Sequence, residues 1–167
     1  MPSRTTASDA LNPGLGCGPL IRYVHTNLVA RDVARLERFY VDVLGCVRVG
    51  HERDLSGAAV DASLGVVGAR IVGVHLALPG FGEGGPTLEL FRYTPVDEGS
   101  APSVRRPGLG HLAFAVDDVE AMRAKVLAAG GRAVGEIVRV GSGAKEVTFC
   151  YVTDPEGNGI ELQRWHA

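Results

Sequence analysis

Four side chains able to hold a cation stand in short alternating stretches of this chain. Glu161 lies in Gly159-Ile160-Glu161-Leu162-Gln163-Arg164-Trp165, after the turn signal Asp154-Pro155-Glu156-Gly157-Asn158, and Glu89 lies in Pro86-Thr87-Leu88-Glu89-Leu90-Phe91. His25 lies in Tyr23-Val24-His25-Thr26-Asn27-Leu28-Val29, and His111 in Gly110-His111-Leu112-Ala113-Phe114-Ala115-Val116. Apolar and polar residues that alternate have the period of a half-buried strand, so each of the four belongs to its own strand. A carboxylate on the inward face of a strand is costly unless something pairs with it. Taken singly, a strand histidine is usually a hydrogen-bonded core or surface residue, and a strand glutamate usually faces water. Four such groups aimed into one cavity change the balance, because a divalent cation offsets their burial. Metal binding is the chemistry these types and spacings favour.

The elements that would carry them repeat. His111 follows His25 by 86 residues, Asp118 follows Asp32 by 86, and Gly131 follows Gly45 by 86. Asp32 is a good helix N-cap, and Val33, Leu36, Phe39/Tyr40 and Val43/Leu44 form an apolar stripe that Gly45 ends. A short strand over 46–49, a polar stretch to about 68, a strand over 70–78, a Gly-rich turn over 79–85 and a strand over 87–93 follow. One offset held across a strand and a helix marks internal duplication. Each copy reads β-α-β-β-β, and a copy exposes a sheet face that it cannot bury alone. Two copies are therefore expected to combine, inward faces together. From Gly45 to Glu89 is 44 residues and from Gly131 to Glu161 is 30, so the first copy holds 14 more, placed within 50–70.

The bulk numbers exclude several classes. The chain has 167 residues, 46% hydrophobic and 22% charged, with a net charge of −2. That is ordinary globular composition, with no basic patch for nucleic acid and no apolar run of transmembrane length. Residues 1–20 are rich in Ser, Thr, Pro and Gly, lack the apolar core of a secretory signal, and are expected to form a flexible arm. Three widely spaced cysteines (Cys17, Cys46, Cys150) are expected to be reduced thiols in the cytoplasm.

The ordered motifs His25-Thr26-Asn27-Leu28-Val29, Arg31-Asp32, Phe39-Tyr40, Leu44-Gly45, Leu88-Glu89-Leu90, Gly110-His111-Leu112-Ala113-Phe114, Val116-Asp117-Asp118 and Thr153 through Leu162 closely resemble the vicinal oxygen chelate superfamily, the glyoxalase/bleomycin-resistance/dioxygenase group. The resemblance covers about residues 21–165. It implies an α+β fold with two tandem βαβββ modules, 21–93 and 108–167, joined by a linker over 94–107. Together they would form a U-shaped, cupped, mixed sheet around one divalent metal ion. The family's metal positions fall on His25, Glu89, His111 and Glu161. Relatives cover their sheet edges by pairing subunits, so a C2 homodimer is expected, with the site either within one chain or across the interface.

Coordination arithmetic separates the chemistries. Ring-cleaving dioxygenases resemble a two-His-one-carboxylate set, which leaves three octahedral positions for a diol and O₂. Four protein ligands leave two, enough for adjacent oxygens of a substrate. The expectation is redox-neutral isomerase, lyase or epimerase chemistry through a metal-stabilised enediolate on a small oxo or acyl substrate. In pattern the chain is closest to the lactoylglutathione lyases and methylmalonyl-CoA epimerases. The alternatives are a small-molecule (antibiotic-type) binding or resistance protein of the same fold, or an extradiol-type dioxygenase. By resemblance Glu161 is the first choice for catalytic base and Glu89 the second. Nickel, cobalt, zinc, manganese, iron or magnesium all suit a mixed nitrogen and oxygen set. By alternation Asn27, Phe91, Tyr93, Gln163 and Trp165 share faces with the ligands and line a candidate substrate pocket. Arg48 joins them, since a glutathione-using lyase should carry an Arg and an Asn after the first helix; the Asn is missing here. His51 or Glu52 could serve as an additional acid or base, His75 is expected to be a packed strand residue, and His166 to fray. The expected partner is a small molecule, with neither nucleic acid nor membrane expected.

Overall fold

The computed structural model describes residues 21–97 and 99–166, so the expected arm over 1–20 and Cys17 lie outside the described residues. The first module runs β1 (His25–Val29), α1 (Val33–Asp42), β2 (Val47–Ser56), α2 (Ala58–Leu64), β3 (Arg70–Ala77) and β4 (Thr87–Thr94). The second runs β5 (Leu112–Ala115), α3 (Val119–Ala128), β6 (Arg132–Ala133), β7 (Val138–Val140), β8 (Glu146–Thr153) and β9 (Gly159–His166), with a single 3-10 turn at Gly143–Lys145 before β8. The mixed α+β class and the doubled β-α-β plan are as the sequence led one to expect, with α2 added in the first module and a fourth strand after the helix in the second.

Both helices start where the caps stand. The Asp32 carboxylate accepts from the Arg35 amide at 3.0 Å, and the Asp118 carboxylate from the Ala121 amide at 2.9 Å. The α1 stripe buries Leu36, Phe39 and Tyr40, and Gly45 takes the left-handed conformation behind it (φ 72°). After α3 the left-handed residue is Gly130 (φ 91°), one place before the position that the repeat indicates. Gly131 is needed for a different reason: a Cβ there would lie 2.3 Å from the Thr153 carbonyl oxygen.

Each module forms its own sheet. The orders are β1-β4-β3-β2 and β5-β9-β8-β6, with β7 also on β8. In both, the first strand runs parallel to the last and the remaining pairs are antiparallel. The 14-residue excess of the first copy is a strand and a helix rather than loop. β2 continues past 49 through a bulge between Val49 and Arg53, and α2 follows it. No residue of α2 is buried, which left no apolar stripe to read in the sequence. The segment is closed by Asp61, whose carboxylate accepts from the Gly68 and Ala69 amides at 3.0 and 2.9 Å.

The way the modules join differs from the expected meeting of inward faces. One core unites Leu36, Phe39 and Tyr40 of α1 with Leu88 and Leu90 of β4, Val126 of α3, Val152 of β8 and Ile160 and Leu162 of β9. These are the helix-side residues of both sheets. Glu89 and Glu161 alternate with them, so the ligand faces look away from the shared core. The junction is tied by the β8–β9 turn. Asp154 is fully buried and accepts four hydrogen bonds: from the Glu156 and Asn158 amides at 2.9 Å each, from Asn158 Nδ2 at 2.7 Å, and from the Tyr40 hydroxyl of α1 at 3.2 Å. Burial holds its carboxyl above the usual range, and these donors offset only part of that rise. Next to it the Glu156 carboxylate accepts from the Arg31 and Asp32 amides at 2.8 and 2.7 Å, satisfying donors just ahead of α1.

The two described cysteines, Cys46 and Cys150, are buried free thiols, and burial pushes the Cys46 thiol up to about 11. No helix among the described residues is long and apolar enough to cross a membrane. Tyr40→Phe removes one donor from a buried carboxylate and should lower stability by about 1.5–3 kcal/mol in urea unfolding, with the slope unchanged. A loss near zero would show that the hydroxyl does not tie the modules.

Candidate metal centre

The register of the first sheet builds a half-site around Glu89. Asn27 of β1 and His75 of β3 are its direct cross-strand neighbours, one on each side. His25 Nε2 lies 3.5 Å from Glu89 Oε2, His75 Nδ1 lies 3.4 Å from Oε1, and Asn27 Nδ2 donates to Oε2 at 3.3 Å. Glu89 is 8% exposed, so this carboxylate is buried among two imidazoles and an amide. Phe91 lies over β3 because Gly73 has no side chain; a Cβ there would sit 2.5 Å from the Phe91 ring. The Phe91 ring then meets His75 edge-on with centroids 5.3 Å apart, and Tyr93 lies 6.5 Å beyond it. Burial, helped by the Glu89 charge, raises the Tyr93 hydroxyl above its usual range.

The second sheet builds the matching half-site around Glu161. His111, which stands one residue ahead of β5, puts Nε2 3.0 Å from Glu161 Oε2. Tyr151 of β8 is the cross-strand neighbour of Glu161 and packs against His111 with ring centroids 5.2 Å apart. Burial raises the Tyr151 hydroxyl, and the charge of Glu161 and a hydrogen bond to it add to the rise. Gln163 shares this face, and its Oε1 accepts from Trp165 Nε1 at 3.1 Å; Trp165 remains 57% exposed.

The donor types fit a divalent ion, since imidazole nitrogen and carboxylate oxygen are what first-row divalent metals take in protein sites. The buried Glu89 carboxylate is already paired with imidazoles and an amide within the chain, an arrangement that would also suit a cation. Within the chain, the four expected ligands stand as two pairs, His25 with Glu89 and His111 with Glu161. Among the described residues no group of three or more His, Cys, Asp or Glu side chains converges as a complete metal site.

Other expected site residues fall elsewhere. Arg48 is the cross-strand neighbour of the core residue Leu76 and donates to Glu37 of α1 at 3.1 Å, so it lies on the helix side, away from both half-sites. Alternation along β2 places it there once the β2–β3 register is known. Asp54 forms an ion pair with Arg70 at 2.6 Å. His51 and Glu52 are exposed in the bulge of β2. His166 is not frayed: it ends β9 with its ring 2.8 Å from Thr148 Oγ1. His75 is the packed strand residue expected, set against Phe91, but sequence reasoning did not place it beside Glu89 and did not single out Tyr151. Only the register shows that each is the direct neighbour of a glutamate.

Comparison with known proteins agrees with this architecture. Residues 22–162 match the model of the Glyoxalase/Bleomycin resistance protein/Dioxygenase superfamily. A curated relative, named "Probable lactoylglutathione lyase", from Vibrio parahaemolyticus serotype O3:K6 is 29% identical over 148 residues, 84% of this chain and 88% of its own. A glyoxalase family protein from Bacillus cereus superposes with a TM-score of 0.71 at 21% identity, over 92% of this chain and 99% of that one. A glyoxalase I mutant from Zea mays gives a TM-score of 0.59 at 23% identity, over 85% of this chain and 44% of that one. The two solved structures are similar in fold, and the family match spans nearly all of the described residues. The chain belongs to the Glyoxalase/Bleomycin resistance protein/Dioxygenase superfamily.

Proposed function

We propose that the protein is a divalent-metal-dependent isomerase or lyase of this superfamily, with each site made of two half-sites from different subunits of a C2 homodimer. The observation that carries this is the pairing itself: one imidazole against one carboxylate in each module, on faces turned away from the core the modules share. His25 and Glu89 of one chain with His111 and Glu161 of the second would complete a four-donor set. The same faces also hold exposed apolar side chains. Val29, Val47 and Val49 lie on the Glu89 side, and Val138, Val140 and Trp165 on the Glu161 side. Bringing the two faces together across subunits would remove that surface from water.

When bound, the ion would polarise the oxygen of a 2-oxo or 2-acyl substrate and acidify the neighbouring C–H. The chain's own groups do the rest. Glu161 takes the proton from that carbon and returns it there or to the adjacent carbon, so no oxidant is consumed. It suits this role because it is held by fewer side chains than Glu89: His111 and Tyr151 against His25, His75 and Asn27. Phe91, Tyr93, Phe149 and Trp165 line the two faces and would exclude water around a partly apolar substrate. The curated relative's name supports lyase chemistry without identifying the substrate here.

Purified protein should carry about one divalent ion per chain, and metal analysis of His111→Ala should show a strong loss because a ligand is gone. Full occupancy in both His25→Ala and His111→Ala would defeat the ligand assignment. If sites are shared between subunits, mixing the His25→Ala and His111→Ala chains should restore metal in roughly a quarter of sites, since half the dimers are mixed and each holds one intact site of two. No recovery after proven subunit exchange would place each site within one chain.

The chemistry has its own check. In D₂O the metal-loaded protein should incorporate deuterium at the carbon next to the carbonyl of its substrate, and Glu161→Gln should abolish this at equal metal occupancy. Oxygen uptake in step with product would point instead to a dioxygenase, and tight binding without exchange or turnover to a sequestering protein.

A further inference from the structure

The two half-sites are alike in their imidazole and carboxylate, yet the strand behind each glutamate supplies a different side chain. Glu89 is faced by His75 from β3, and Glu161 by Tyr151 from β8, each at the direct cross-strand position. The Glu89 carboxylate is thus divided between two strands. Oε2 faces β1, where His25 and Asn27 lie 3.5 and 3.3 Å away, while Oε1 faces β3, where His75 Nδ1 lies at 3.4 Å. That last separation is within a few tenths of an ångström of hydrogen-bond length. His75 is itself held in place. Its ring is half-buried and packs against the edge of Phe91, which occupies the room left by Gly73.

We propose that His75 is a positioning residue, which holds Oε1 of Glu89 from β3 so that Oε2 is presented, with His25, to the ion. This rests on the metal reading of the site given above. Imidazole is well suited to this role. A donor nitrogen on a ring with few rotatable bonds fixes the carboxylate plane, and such outer partners orient metal ligands in proteins. Held on both oxygens, Glu89 is the carboxylate that stays. Glu161, with a single phenol behind it, keeps the freedom that proton transfer needs. The pseudo-symmetric site is therefore unequal in its two carboxylates, and the inequality is written in β3 and β8 rather than in the ligands.

Cobalt(II) added to metal-free full-length protein is the probe, read by calorimetric affinity and by the visible absorption of the bound ion. His75→Ala should weaken cobalt binding about 10- to 100-fold. His75→Asn, which keeps an N–H donor at the same depth, should recover most of that loss and leave the absorption bands in place. The decisive comparison is a double-mutant cycle with Glu89→Ala, since a residue acting through the Glu89 carboxylate has nothing left to orient in that background. There, His75→Ala should change affinity little. An equal loss in both backgrounds, or no rescue by Asn in a folded variant, would mean that His75 acts as a ligand or by packing, and the proposal falls. Wild-type affinity in His75→Ala would also overturn it while leaving the metal site standing. If the wild-type chain binds no cobalt at all, the metal reading fails first and His75 loses its role with it.

Discussion

The buried carboxylate of Asp154 is the point on which the arrangement of the modules depends. With no exposure and four donors around it, it joins the turn before β9 to the Tyr40 hydroxyl on α1. Glu156, two residues on, reaches the amides that precede the same helix. Polar groups satisfied to this degree in an apolar surround specify one geometry, because any shift strands a donor or a charge. The geometry they specify seats α1 against the second module, so both sheets turn their helix sides to a common core. Everything about the site follows from that choice, since the opposite faces are then the ones left to look outward.

On those outward faces a second constraint operates. A glutamate in mid-strand, with apolar neighbours on both sides pointing into the core, has nowhere to go except toward its cross-strand neighbours. For Glu89 these are Asn27 and His75, and for Glu161 they are Ala113 and Tyr151. Parallel pairing of the first strand with the last is what brings each histidine to its glutamate within a module. The duplication thus makes two equivalent half-sites by one rule, and divergence of the neighbouring strand makes them chemically unequal.

The first module also shows how sequence can be added without disturbing a site. The extra β2 length, its bulge and α2 all attach at the far edge of the sheet, three strands from β1. In the second module that edge is shared by two short strands, β6 and β7. A bulge at a sheet edge absorbs the length difference locally, leaving the register of β3 and β4 intact.

Much of this was open to reading from the sequence. The helix starts follow from Asp32 and Asp118, whose caps are local and need no tertiary context. The four candidate ligands follow from alternation, and the doubled plan from a single offset of 86 residues. Other features had no local signal. α2 buries nothing, so it has no stripe; His75 and Tyr151 face their glutamates through hairpin registers that alternation alone does not fix. Arg48 looked like a pocket residue until the register placed it beside Leu76 and Glu37. Which faces the modules turn to each other was likewise beyond the sequence pattern, because alternation says that a strand has two faces but not which one a second module covers. That was decided by packing and by the Asp154 and Glu156 contacts, interactions between residues more than a hundred positions apart.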